Sequence, residues 1–114
     1  MSSNNNGKES RFKGKYAHST EYRRLIWEMI VWPLIIEKNR PYFSIDEYQS
    51  KRVLFTKESN IPSSKVSGGL ISLVVKGILI KEEHIYSLHY RLIPYLRKKA
   101  ILTYGQALKE TYTK

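Results

Sequence analysis

The stretch from Phe55 to Ile80, FTKESNIPSSKVSGGLISLVVKGILI, decides how the rest of the chain is read. It predicts the end of one helix, a tight turn, a second helix and the start of a strand. Asn60 stands where the first helix must stop, because Asn tolerates the left-handed backbone that such a stop requires. Ile61 then drops into the core, and Pro62 forbids the first helix from resuming. Ser63 or Ser64 caps the next helix by accepting its orphan backbone N–H groups. Val66, Leu70, Leu73 and Val74 recur at helical spacing and share one buried face. Gly77 ends this helix, and Ile78, Leu79 and Ile80 open a strand. Glu82 and Glu83 form the polar tip of a β-hairpin that returns through Ile85, Tyr86 and Leu88.

Upstream, Ser44-Ile45-Asp46-Glu47 is a capping box, in which the Ser reaches forward to a helix N–H and the Glu reaches back. The helix it opens runs from near Ile45 to about Ser59, with Lys51, Arg52 and Lys57 turned away from Val53, Leu54 and Phe55. Asn39-Arg40-Pro41 breaks the chain before it. The first helix is expected over Ser19 to Glu37, capped by Ser19 or Thr20. Its run of Leu25, Ile26, Met29, Ile30, Trp32, Leu34, Ile35 and Ile36 is too apolar for one face. Such a helix is buried on more than one side, and in a chain this short the second side is expected to belong to another subunit. Pro33 lacks the N–H that would bond to Met29, so a kink or break is expected there. Residues 1–18, with Lys8, Arg11, Lys13 and Lys15, have no apolar face and read as a disordered basic arm. Such an arm is either a solvated terminus or one that follows phosphates or enters a minor groove.

Downstream, the last helix is expected from Tyr90 or Arg91 to about Tyr112, with Pro94 in its first turn. Leu96, Ala100, Tyr104, Leu108 and Tyr112 stand four apart in one continuous stripe, and Arg97, Lys98 and Lys99 point away from it. The stripe suits a coiled-coil-like or swapped dimer contact; the alternative is a helix folded back over its own core.

The chain has 114 residues, enough for one domain, placed at residues 19–114. Cysteine is absent, which excludes disulfides and thiolate metal sites and fits a cytoplasmic setting. No apolar run approaches the ~18 residues that cross a bilayer, and no signal peptide or membrane association is expected. The net charge of +10, from 20 Lys and Arg against 10 Asp and Glu, suits a polyanionic partner. His18, His84 and His89 have no metal-ligand spacing, and Gly68-Gly69 falls inside a helix and forms no phosphate loop. Neither an enzyme nor a metal nor a cofactor is expected.

The spacing of Ile61, Val66, Leu70, Leu73, Gly77 and Leu79 resembles the helix-turn-helix of winged-helix regulators, and Ser44 to Leu92 is similar to domains of the PadR or MarR type. The resemblance implies a mainly α fold with a small β-hairpin, and long N- and C-terminal dimerisation helices. It implies a homodimer on double-stranded DNA, with Leu25, Ile26, Met29 and Ile30 of the first helix and Leu96, Ala100, Tyr104 and Leu108 of the last building the two-fold interface. Base edges would fall to Ser63, Ser64, Lys65, Ser67 and Gly68 at the start of the recognition helix. Ser44, Lys51, Arg52 and Lys57 are the implied contacts from the preceding helix, the cations meeting flanking phosphates. Lys81, with His84, is the implied wing contact.

Three departures stand beside the resemblance. The helix from Ile45 is longer than usual by roughly a turn. The wing tip is acidic, and no Arg, Asn or Gln lies on the recognition helix, so specificity would rest on phosphates and DNA shape. Gly68-Gly69 admits either a close approach to DNA or tight packing against a neighbouring helix. The function implied is transcriptional regulation. The alternative is a DNA-coating or centromere-binding protein that spreads along DNA in plasmid partition or chromatin organisation; some archaeal plasmid partition proteins have PadR-like winged helices. A third class is a module that docks a partner protein in a larger nucleoprotein complex.

Overall fold

The computed structural model describes residues 21–61 and 69–112. The expected arm, the Ser19 or Thr20 cap, Pro62 and the stretch from Ser63 to Gly68 lie outside the described residues. The chain is mainly helical, with one small three-stranded antiparallel sheet. The first helix, α1, runs from residue 21 to Lys38: α-helical over residues 21–25, π-helical over Ile26–Val31, and α-helical again over Trp32–Lys38. The expected break at Pro33 does not occur. The π register moves the hydrogen-bond ladder by one residue, so that Trp32 N–H donates to Trp27 O. Pro33 then falls in the first turn of the second α segment, where a missing N–H costs no bond. Asn39, at φ 55°, ends the helix in the left-handed conformation and donates its N–H to Ile35 O at 2.8 Å.

Strand β1 (Tyr42–Ser44) leads directly into α2 (Ile45–Ser59). The capping box forms as expected, with Glu47 N–H donating to Ser44 Oγ at 3.1 Å and Ser44 N–H to Glu47 Oε1 at 3.0 Å. Asn60, at φ 62°, stops α2 as its composition predicts. The described part of the following helix, α3, spans Gly69–Val75. It closes in a Schellman turn: Gly77 sits at φ 85°, and the Gly77 and Ile78 N–H groups donate to Val74 O and Leu73 O at 3.0 and 3.1 Å. The hairpin of β2 (Leu79–Glu82) and β3 (Ile85–Leu88) follows, with Glu83 at φ 60° in its two-residue turn. β1 adds a third strand that the sequence reading did not contain, giving the order β1-β3-β2 with Phe43 opposite Tyr86. Phe43 is fully buried between Tyr86 and Tyr48, at centroid separations of 5.5 and 6.2 Å.

The single long last helix is not what forms. A 3-10 turn (Tyr90–Leu92), capped by His89 Nδ1 accepting from Arg91 N–H at 3.1 Å, leads into α4 (Ile93–Lys98). Lys99 then takes φ 51°, residues 100–103 are non-helical, and α5 begins afresh over Tyr104–Tyr112. The cause lies on α1. In an unbroken helix Ala100 O would accept from Tyr104 N–H. Here Ala100 O accepts from Trp32 Nε1 at 2.9 Å, and Tyr104 N–H donates to Glu28 Oε2 at 2.9 Å. Trp27 Nε1 donates to Leu102 O at 2.9 Å. The two indoles, stacked at 5.5 Å, thereby tie residues 100–102 across α1. A second capping box, Thr103 with Gln106, starts α5: Gln106 N–H donates to Thr103 Oγ1 and Thr103 N–H to Gln106 Oε1, both at 3.1 Å.

The core is therefore built around α1. Ile26, Trp27, Ile30, Val31 and Ile35 are fully buried, packed with Leu73, Leu92, Leu96, Leu102 and Tyr104 of the same chain. The expectation that α1 is buried on more than one side holds. The chain's own C-terminal segment covers part of that surface, and Met29 stays exposed beside it.

Candidate functional site

Local hydrogen bonding and ion pairing decide which of the expected binding residues offer a group to a partner. Ser44 is committed to its helix: its hydroxyl accepts from Glu47, and its N–H is spent on the same residue. Lys51 is tied down as well, its Nζ 2.6 Å from Glu37 Oε1, a bond that joins α2 to the end of α1. The Lys51 hydrogen bond and charge hold the Glu37 carboxyl below the ordinary carboxylate range. Arg52 is half-buried with its charge close to Tyr48. Lys57, in the last turn of α2, and Lys81, on the edge strand β2, are exposed. Ser63, Ser64, Lys65, Ser67 and Gly68 lie outside the described residues, so the expected base-reading row has no geometry here.

A second charged cluster sits at the junction of α1, β1 and α2. Glu47 receives the Ser44 N–H bond, which, against the opposing effect of burial and with Arg40 beside it, holds its pKa below the ordinary carboxylate range. Arg40 pairs with Glu47, and Lys38 Nζ lies 3.8 Å from the same carboxylate. The Arg40 guanidinium also stacks over the Tyr42 ring, at 4.8 Å from its centroid. These contacts join elements to one another.

The expected dimer row divides in two. Ile26 and Ile30 are fully buried, and Leu96 and Tyr104 are each only 5% exposed, all within one chain. They present no surface to a partner, and the continuous stripe is broken between Leu96 and Tyr104 by the non-helical residues 100–103. Leu25, Ala100 and Leu108 are half-buried, and Met29 is exposed.

Three surface features stand outside the expected binding and dimer rows. An open apolar groove of about 420 Å³ runs between Met29, Trp32, Pro33 and Ile36 of α1 and residues 99–103, with Glu28 and Lys99 among its lining. Ile101, at its edge, is 88% exposed. Arg97, Lys98 and Lys99 form a contiguous exposed basic corner where α4 ends. Finally, the outer face of α3 is apolar, with Ile71 and Val75 at 63% and 78% exposure. Two of these carried a sequence signal: Arg97, Lys98 and Lys99 point away from the apolar stripe, and Ile71 and Val75 stand four apart and off the Leu70–Leu73 face.

Gly69 resolves the two readings left open for it. A Cβ at this position would stand 1.9 Å from Ile26 Cδ1, so the missing side chain lets α3 press against α1. Gly68 lies outside the described residues. The anchoring aims α3: Leu70 and Leu73 face inward with Gly69, and Ile71 and Val75 face out.

No protein-family model, curated protein or solved structure matches this chain. Among the described residues, no helix is long and apolar enough to cross a membrane. The described surface offers a partner exposed cations on α2, β2 and the end of α4, and exposed apolar side chains on α3 and beside the groove, with Val53 and Leu54 on α2 exposed as well.

Proposed function

We propose that this chain is a double-stranded-DNA-binding protein of winged-helix type that works as a cytoplasmic homodimer, most simply as a transcriptional regulator. The observation that carries the reading is the succession of α2, the left-handed stop at Asn60, α3 and a hairpin, on a chain of net charge +10. Helix-turn-helix proteins lay the second helix of such a pair in the major groove, and surplus positive charge supplies the phosphate attraction. The acidic tip Glu82-Glu83 makes the hairpin a support for the helices, with Lys81 its one cation. Lys65→Ala, at a base contact that the sequence resemblance implies, is expected to weaken DNA binding and leave the melting temperature unchanged. Unchanged affinity in filter binding removes the helix assignment.

DNase I footprinting over the chain's own upstream region separates regulator from DNA-coating protein. A short bounded footprint that saturates supports the regulator. Protection that grows outward with concentration supports spreading, which a recognition helix without Arg, Asn or Gln favours. No protection at moderate salt removes both.

The proposed dimer contact is the groove beside Met29, with Ile101 of each copy seated on the other, as a two-fold interface requires of one self-complementary patch. Because Ile101 is 88% exposed, Ile101→Glu is expected to leave the fold intact and shift sedimentation from dimer to monomer. Dimers that persist in this variant place the interface elsewhere.

A further inference from the structure

We infer that Ile71 and Val75 form an apolar reading edge that seats on thymine methyl groups, so that the chain prefers duplexes presenting thymine in the major groove at these positions. The inference rests on the DNA-binding reading above and names the base chemistry that reading leaves open.

The face of α3 that turns outward is set by packing. Gly69 is pressed on Ile26, and Leu70 and Leu73 are buried, so Ile71 and Val75 have no inward rotation available. They lie one turn apart, about 6 Å along the axis. β-branched side chains at 63% and 78% exposure gain nothing from this fold. The described part of the helix, GLISLVV, carries no charged residue and no amide side chain, so the strong bidentate base contacts are not available to it.

Among the groups that base pairs display in the major groove, the thymine C5-methyl is the apolar one. A spacing of about 6 Å covers roughly two base-pair steps of about 3.4 Å each, which brings both side chains within one short thymine-containing run. Duplex DNA is the occupant that suits the surroundings. The chain carries a net charge of +10, and Lys76 follows α3 directly, while Lys81 on the neighbouring strand β2 stands next to Glu82 and Glu83. A hydrophobic protein surface would have to be brought up against that charge.

The test uses the full chain with poly(dA–dT) and poly(dA–dU), which differ only by the C5-methyl, and the variants Ile71→Ser and Val75→Ser. Both positions are exposed, so the variants are expected to melt as the parent does. The parent is expected to bind the thymine polymer more tightly, by about four-fold for each methyl seated, the value of one buried carbon. Ile71→Ser is expected to bind the thymine polymer more weakly than the parent and to lose most of the difference between the two polymers. Equal binding of both polymers by the parent overturns the inference and leaves the DNA-binding reading standing. Retention of the full preference in both variants also overturns it, since the methyls are then read elsewhere. Failure of the parent to bind either polymer removes both readings. If the variants change sedimentation while the polymers bind equally, the face docks a protein, and the inference is overturned in favour of that occupant.

Discussion

Replacing Trp27 with Ala should cost the fold about 3–5 kcal/mol, the range for removing a large aromatic from a core. Trp27 is fully buried at the π-helical part of α1, stacks on Trp32, and donates its indole N–H to Leu102 O. The substitution therefore does two things. It opens a cavity on α1, and it leaves the Leu102 carbonyl without the partner that holds residues 100–102 out of helix. Trp27→Phe keeps a six-membered ring in the core, so it opens a smaller cavity while removing the donor, and a smaller loss is expected, of which about 1–3 kcal/mol comes from the unsatisfied carbonyl. Urea unfolding followed by circular dichroism gives both numbers, with Trp32 remaining as a fluorescence probe. A loss below about 1 kcal/mol in the Ala variant would mean that the C-terminal segment is not anchored on α1.

That anchoring also marks the boundary of what the sequence could reveal. The capping box of Ser44 and Glu47, the stop at Asn60, the Schellman turn at Gly77 and the two-stranded hairpin were all legible. In each, the partners lie within a few residues of one another. The break after Lys98 was not. Leu96, Ala100, Tyr104, Leu108 and Tyr112 keep perfect helical spacing, and a periodicity argument has no access to groups that compete from elsewhere in the chain. Trp32 is 68 residues from the Ala100 carbonyl it binds, and Glu28 is 76 residues from the Tyr104 N–H. One local sign was present, since Thr103-Tyr104-Gly105-Gln106 has the pattern of a capping box. β1 escaped for a related reason: three residues are too short to show alternation, and its partner strand lies beyond two helices.

The candidate site divides along the same line. Lys51 reads from its helix face as a solvent-facing cation, and its Nζ also lies 2.6 Å from Glu37 Oε1, 14 residues earlier on another element. Ser44 reads as a cap from the sequence, and the cap forms because its partner is three residues away. Met29 alone of the α1 dimer row remains well exposed; Ile26 and Ile30 are buried in the chain's own core, Ile26 against Gly69 of α3, and Leu25 is half-buried. The surplus apolar surface of α1 was a sound observation, but composition does not say whose surface covers it.

Raising the pH from about 9 to about 11.5 should cost the parent protein about 2 kcal/mol more stability than Tyr48→Phe. Tyr48, on the first turns of α2, is 2% exposed and lies against Phe43. Burial pushes its phenol up to about 12, with Tyr86 adding to the shift and the Arg52 charge opposing it. In the unfolded chain the same phenol ionises near the ordinary value of 10. Below that value both states carry the proton, and the contribution of Tyr48 to stability is fully present. Between 10 and about 12 the unfolded state has released its proton while the native state holds on to it, so stability falls with rising pH. The slope approaches about 1.4 kcal/mol per pH unit and levels off once the native phenol ionises too. Phenylalanine keeps the ring against Phe43 and abolishes the step. Equilibrium unfolding of both proteins across this window isolates Tyr48 from the other tyrosines, which titrate in both. Parallel curves would place the Tyr48 hydroxyl in contact with water and detach it from the stack that joins α2 to the sheet. A steeper parental curve ties the packing of α2 on Phe43 and Tyr86 to one buried phenol.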